Sequence, residues 1–276
     1  KDAPLLFNPK INLHKIGWLL SFIGNIPNHK KNTILTARMA IESRNEFKRI
    51  LNKENIELDL EEKGILHLCN DQQSLDHGRK INSWLKEAGL NRKEVSIEEM
   101  VSIEPTLNLK NFKGGFYTKS DMSGDIHKFT KLLADASEQK GVRFFYETEI
   151  TAIEHNQKQP IVYFNQSNNK HNQNYDGIVI CAGVNSKFLA NKLGDSVNIY
   201  PVKGYSITLL LNDEDSFNNT PYVSLLDDNA KIVSSRLGKD RFRVAGTAEF
   251  NGYNKDIRAD RINPLIKWCN ELFPKV

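Results

Sequence analysis

Two spacings of apolar residues divide this chain: three-to-four-residue spacing over its first half, and stretches of alternation or short apolar runs after about residue 142. Helical spacing places Ile34, Ala37, Ile41, Phe47, Ile50 and Leu51 on one stripe, with Asn32 or Thr33 as the cap. A strand over Gly64–Cys69 precedes a helix over Gln72–Ala88, which Gly89 closes. Ser96–Val101 reads as a short helix before Pro105, and Gly115–Thr118 as a strand. Asp125 is placed to cap a helix whose Ile126, Phe129, Leu132, Leu133 and Ala136 share a face, with Gly141 as its end. Strands are expected at Val142–Tyr146, Glu149–Glu154 and Ile161–Phe164, followed by a polar loop over Ser167–Asn174. Ile178–Ala182 is continuously apolar, the pattern of a strand covered on both faces. Gly183 then turns the chain into a helix capped by Asn185 or Ser186 and ended by Gly194. Four strands follow, Tyr205–Leu211, Tyr222–Leu226, Lys231–Ser235 and Arg241–Ala245, at the short intervals of an antiparallel meander. A helix over Arg258–Leu272 closes the chain, with Pro264 limiting where it starts. The class is α/β (α+β).

Composition narrows the possibilities. Apolar residues make up 39% and charged residues 26% of 276 positions, enough for a sizeable core. A net charge of +4 is spread without a block of like charges, so no nucleic-acid partner is expected. Cys69, Cys181 and Cys269 have neither CxxC spacing nor a neighbouring His pair, which argues against a metal site or a disulfide framework and for a reducing, cytoplasmic setting. The most apolar segment, Ile16–Ile26, is too short to span a bilayer, which takes about 18 apolar residues. Lys15, His29, Lys30 and Lys31 flank that segment and leave room for peripheral contact with the inner face of the plasma membrane.

Candidate chemistry gathers in the second half. Ala182-Gly183 at the end of an apolar run suits a backbone that must pass close to a nucleotide, although such pairs occur in many α/β proteins. Ile150 has two readings, a residue beside a nucleotide base and an ordinary core residue. In Lys203-Gly204-Tyr205 the glycine permits close approach to a ligand, and the tyrosine is either a ligand contact or a half-buried strand residue. Arg241 and Arg243 share a face by alternation, and Arg236 sits at a strand end; each offers a fork that matches a carboxylate. Lys203, Glu249 and Asp227 are candidates for proton transfer, with Asp227 read as a surface residue.

The segments APLL at Ala3, GGFYTKSDMSGD at Gly114, YPVKGYSIT at Tyr200, SLLDDNAKI at Ser224 and RVAGTAEFNGYN at Arg243 make the chain resemble bacterial FAD-dependent D-amino-acid dehydrogenases, within the D-amino-acid, glycine and sarcosine oxidase family. The resemblance implies a partial Rossmann-like FAD-binding domain interleaved with a substrate domain on a mainly antiparallel sheet. It assigns residues 1–118 to a helical and substrate-domain segment, 119–198 to the middle of the FAD domain, and 199–276 to the substrate sheet and closing helix. It also implies hydride transfer from the Cα of a D-amino acid to flavin N5, giving a 2-oxo acid and ammonia, with a quinone or the respiratory chain as electron acceptor. Tyr205 and Arg243 are then the candidate catalytic residues and Tyr222 and Thr247 candidate substrate contacts, while Ile150, Cys181, Ala182 and Gly183 line the FAD. Neither the family's opening GxGxxG loop nor its closing flavin and substrate strand occurs here, so the chain is expected to be an interior piece, inactive alone. A glycine or sarcosine-type oxidase and a cofactor-less binding protein are the alternatives.

Overall fold

A computed structural model describes residues 4–155 and 159–275; Ala3 of the APLL segment lies outside them. The elements, in order, are β1 (Leu5–Phe7), α1 (Leu13–Gly24), α2 (His29–Glu54), β2 (Ile65–Cys69), α3 (Gln72–Glu87), β3 (Lys93–Val95), α4 (Ile97–Ile103), β4 (Gly114–Thr118), α5 (Ile126–Glu138), β5 (Thr148–His155), β6 (Pro160–Gln166), β7 (Asn169–Asn174), α6 (Ser186–Lys192), β8 (Lys203–Leu210), α7 (Glu214–Asn218), β9 (Ser224–Asp227), β10 (Ile232–Leu237), β11 (Arg241–Phe250) and α8 (Ala259–Leu272). They fall into two compact units. The larger takes the segment up to Asn8, Asn25–Ala136 and the chain from Val202; the smaller takes Pro9–Gly24 and Ser137–Pro201.

The larger unit is built on an eight-stranded mixed sheet, ordered β1-β11-β10-β9-β2-β4-β3, with β8 paired to the other side of β11. β9, β10 and β11 form the expected meander, and β2 joins β9 in parallel. Register decides what each face carries. Val244 pairs with Ile207 and Ser234, and Phe242 with Leu209 and Arg236, so these residues share one face. α8 packs there, and Val244, Phe242, Leu225 and Leu265 are fully buried. The opposite face is covered at β2 and β4 by α3, where Gly78 meets the Phe116 ring. Over β8, β10 and β11 this second face is open, with Val233 40% exposed.

Caps account for several helix starts. Asp71 and Ser96 each close a capping box, on α3 and α4. Asp125 accepts from the amides of His127 and Lys128, as its position before α5 predicts. α2 begins at His29, ahead of Asn32, because a 3-10 turn over Ile26–Asn28 already supplies helical backbone. α8 spans Ala259–Leu272, close to the expected 258–272, and carries Pro264 in its second turn, where the ring removes one backbone donor.

The smaller unit holds the antiparallel sheet β5-β6-β7, with α6 against β5. Three expectations are corrected in it. Ser167–Asn174 contains a strand, β7, which folds back on β6 through a turn at Ser167 and Asn168, both with positive φ. Val142–Tyr146 is irregular and largely exposed. Ile178–Ala182 is neither a strand nor buried on both faces, and Val179 is 87% exposed. The physical reason is common to the last two: a strand needs a neighbouring ladder, and among the described residues no strand pairs with either segment.

Candidate active site

Two places hold the residues singled out above, one in each unit. The first is the open face of the large sheet. Arg243 on β11 pairs in register with Thr208 and Ser235, and its Nη2 donates to the Ser206 hydroxyl at 3.2 Å. Arg241, two residues earlier, is bound to Asp125 at 2.8 Å, whereas Arg243 has no carboxylate partner among the described residues. Around it lies a recess of about 470 Å³ lined by Gly204, Ser206, Leu226, Val233, Ala245 and Gly246, among others. Gly204, Ser206, Ala245 and Gly246 beside the exposed guanidinium let a ligand approach the backbone and meet a planar, two-pronged donor, with Lys231 and Asp228 also on the rim.

Tyr205 does not share that face. It pairs with Gly246, one step out of phase with Arg243, and belongs to the buried core. Its hydroxyl donates to Glu249 Oε2 at 2.5 Å. Glu249, 1% exposed, also receives Lys203 at 3.0 Å and Asn251 at 2.9 Å, with Arg258 at 3.7 Å. Burial works to raise the Glu249 carboxyl, but donation from Tyr205, Lys203 and Asn251 outweighs it and holds the group below the usual carboxylate range. Burial and the Glu249 carboxylate push the Tyr205 hydroxyl up. This network ties β8 to β11 from the helix-covered side.

Thr247 also faces away from Arg243, although alternation would put it beside Arg243. A bulge between Gly246 and Ala248 leaves Thr247 with φ +51 and shifts the phase, so Thr247 and Glu249 are buried where Arg241 and Arg243 are not. The Thr247 hydroxyl donates to the Arg261 carbonyl at 3.3 Å. Tyr222 stands elsewhere again, its ring 3.9 Å from the Arg236 guanidinium. Of the four residues assigned to substrate, Arg243, Tyr205 and Thr247 all border the recess and Tyr222 does not; Arg243 is the exposed one, while Tyr205 and Thr247 are buried with their hydroxyls bonded to Glu249 and to the Arg261 carbonyl.

Two further expectations are corrected by burial. Arg236 is not a strand-end fork for a ligand: it is 1% exposed, donates to the carbonyls of Pro221, Phe217 and Thr220, and lies between the Phe217 and Tyr222 rings. Asp227 is 2% exposed and accepts from the Trp268 indole at 3.0 Å and from the amides of Asn229 and Ala230. Neither burial was legible from charge alone. A neighbouring cavity on the second face, about 640 Å³, was not foreseen at all: His67, Cys69, His77, Arg92, Asp228 and Lys231 are among its lining residues. The His67 imidazole is the main influence holding the Asp228 carboxyl below its usual range.

The second place lies in the smaller unit. Ile150, Cys181 and Ala182 line one cavity of about 370 Å³ together with Val162, Ile178 and Ile180. Gly183 adopts φ +55 at the turn that follows, a conformation that costs glycine least. The walls are mostly apolar, and the backbone over Ile178–Ala182 is free of any strand ladder, although the Ala182 amide donates to the Ser186 hydroxyl and its carbonyl accepts from Asn185. An apolar-walled recess of this kind is compatible with an aromatic ring system.

The family model described as FAD dependent oxidoreductase, DAO, matches residues 14–276. The chain belongs to this family. Its sequence is 49% identical over 276 residues to D-amino acid dehydrogenase 3 of Mesorhizobium japonicum, covering all of this chain and 66% of that protein. It is 33% identical over 282 residues to D-amino acid dehydrogenase of Dechloromonas aromatica, again with 66% of that protein covered. The chain thus spans about two thirds of the length of these DAO relatives. Glycine oxidase from Geobacillus kaustophilus shares the fold at TM-score 0.71 and 18% identity, over 87% of this chain and 61% of that one. L-proline dehydrogenase from P. horikoshii does so at 0.72 and 12%, over 86% and 62%. The mixed α/β architecture with one large sheet is therefore that of the DAO flavoenzymes.

Proposed function

We propose that this chain is the substrate sheet and the middle of the FAD domain of an enzyme that oxidatively deaminates D-amino acids. The observation that carries this reading is 49% identity along the whole chain to a D-amino acid dehydrogenase. Bound FAD supplies the two-electron oxidation of the substrate's Cα–N bond, and hydrolysis of the imino acid then yields a 2-oxo acid and ammonia. Ile150, Cys181, Ala182 and Gly183 hold part of that cofactor. Arg243 binds the substrate carboxylate on the open sheet face, and Ser206 orients its guanidinium. Tyr205 acts through the backbone, fixing β8 against β11 by way of Glu249, and is a positioning residue. Tyr222 and Thr247 support the same sheet from its covered side. Electrons pass on to a quinone or to the respiratory chain at the membrane surface.

The test uses the protein expressed from its complete reading frame, obtained by sequencing the DNA on either side of this segment. The expected result is a flavin spectrum bleached by D-alanine and reoxidised by a dye or quinone. Bleaching followed by hydrogen peroxide release would favour a glycine- or sarcosine-type oxidase. A protein that takes up no FAD and turns over no D-amino acid would overturn the enzymatic reading and leave a binding protein.

A further inference from the structure

The cavity of about 640 Å³ adjoins the Arg243 recess through Asp228 and Lys231, and every residue lining it belongs to the larger unit. Its depth holds a charge that the chain leaves without a counter-ion. Arg92, just ahead of β3, is 9% exposed, whereas the other charged residues of the lining, Asp71, Asp228 and Lys231, are exposed. The Arg92 guanidinium lies 4.5 Å from the centroid of the Phe116 ring. Its Nη2 donates to the Gly78 carbonyl at 3.0 Å and its Nε to Asn82 Oδ1 at 3.4 Å, and it forms no ion pair among the described residues. Burial pulls the guanidinium below the ordinary arginine pKa, with Asp228 acting the other way. A buried cation that meets only neutral acceptors is costly to keep, which marks the place where an anion would be bound.

Both acids of the lining are engaged elsewhere. Asp71 caps α3, accepting from the Ser74 amide at 2.7 Å. Asp228 stands 3.7 Å from His67 Nδ1 and 3.8 Å from Lys231 Nζ. That His67 nitrogen is itself buried and makes no hydrogen bond, a second polar atom of the cavity without a partner. Ile81 and Leu85 from α3 and Phe116 from β4 add apolar wall. A guanidinium fork matches the two oxygens of a carboxylate, and the apolar wall suits a short hydrocarbon body. A doubly charged phosphate fits less well, because Asp71 and Asp228 repel the second negative charge. From these observations we infer that the cavity binds a small organic monocarboxylate, with Arg92 on the carboxylate, His67 on a polar atom beside it, and Ile81 and Leu85 along its hydrocarbon. A 2-oxo acid with a branched aliphatic side chain has this make-up. Only that choice of ligand rests on the dehydrogenase reading, of which it is the product; the site itself does not.

Isothermal titration calorimetry on the protein from its complete reading frame tests it, with the 2-oxo acid derived from D-leucine as the probe. A binding site should persist in Arg243→Ala, which removes the carboxylate fork of the neighbouring recess. Arg92→Met, made in that background, should weaken this site about tenfold or more. The uncharged amide of the probe and inorganic phosphate should each bind about tenfold more weakly than the acid. His77→Trp narrows the cavity from α3 and leaves the bonds of Arg92 in place. It should weaken binding as well, and it decides the matter if Arg92→Met does not fold. No binding to the Arg243→Ala protein, unchanged affinity in Arg92→Met or in His77→Trp, or phosphate binding as tight as the acid would each overturn the inference. Binding of the 2-oxo acid that depends on Arg92, in a protein that turns over no D-amino acid, would uphold the cavity while the functional reading fell.

Discussion

Replacing Tyr205 by phenylalanine separates a substrate contact from a residue that supports the sheet. The substitution keeps the ring in the core and deletes only the hydroxyl that donates to Glu249 at 2.5 Å. A hydrogen bond to a charged acceptor contributes about 1.5–3 kcal/mol. Glu249 keeps Lys203 at 3.0 Å and Asn251 at 2.9 Å, so its carboxylate is not orphaned and the lower half of that range applies, about 1.5–2 kcal/mol. In a unit of this size the loss lowers the melting temperature by about 3–8 °C. On the structural reading the KM for D-alanine changes less than about twofold, because the deleted oxygen lies on the helix-covered face of the sheet.

The pH dependence adds an independent check. Glu249 titrates below its unfolded value, so the stability it contributes is present above the unfolded glutamate pKa of about 4.3 and is lost as pH falls through the lower folded value. The stability gap between parent and Tyr205→Phe should therefore be widest near neutrality and close under acid, once the acceptor is no longer a carboxylate. Thermal melts across pH, alongside steady-state kinetics with a dye acceptor, measure both quantities. A KM raised about tenfold at an unchanged melting temperature would refute the reasoning and return Tyr205 to the substrate pocket.

Arg243→Ala should behave in the opposite way: the KM for D-alanine rises about tenfold or more, while stability in urea moves by no more than about 0.5 kcal/mol, since the side chain is exposed and bonded only to Ser206 among the described residues. Asp125 is held below the usual carboxylate range by Arg241 and by the amides that open α5, so it stabilises the fold above its unfolded pKa and that share disappears as pH falls through the folded value. Asp125→Asn, followed by melting at pH 7 and under acid, should show a flatter acid dependence than the parent. At Gly246 an added Cβ would stand 2.6 Å from the Lys231 carbonyl and 2.8 Å from Ile232 Cγ1, so Gly246→Ala should cost about 1–3 kcal/mol in urea denaturation by forcing β10 and β11 apart.

What alternation can show is visible along β10 and β11. Buried and less buried residues alternate through Ile232–Leu237 and Arg241–Val244, and the pairing of Arg241 with Arg243 on one face follows from that period alone. Local signals placed α3, α4 and α5 for the same reason: Gly89 ends α3, Pro105 follows α4, and Asp125 caps α5 through amides within three residues of it. Failures occur where the deciding partner is remote. Ile178–Ala182 has the composition of a buried strand, but composition cannot supply a ladder. Asp227 and Arg236 carry the charges of surface residues, and their burial depends on Trp268, 41 positions away, and on carbonyls 15 to 19 positions away.

The candidate site turns on parity. The family resemblance grouped Tyr205, Arg243, Tyr222 and Thr247 around one ligand, and resemblance does not say which face of a strand each side chain takes. Ser206 and Arg243 do meet, because 206, 208, 243 and 245 fall in one phase of the ladder. Tyr205 falls in the other. For Thr247 the count along β11 predicts the open face, and the single extra residue of the bulge reverses it, carrying Glu249 to the buried side where Tyr205 and Lys203 can reach it. Gly246 immediately before the bulge has no side chain to obstruct Lys231 and Ile232 on the neighbouring strand. The change of phase thus permits both features at once: a bare, small-residue floor beneath Arg243 on one side, and on the other a buried carboxylate that locks the strands carrying it.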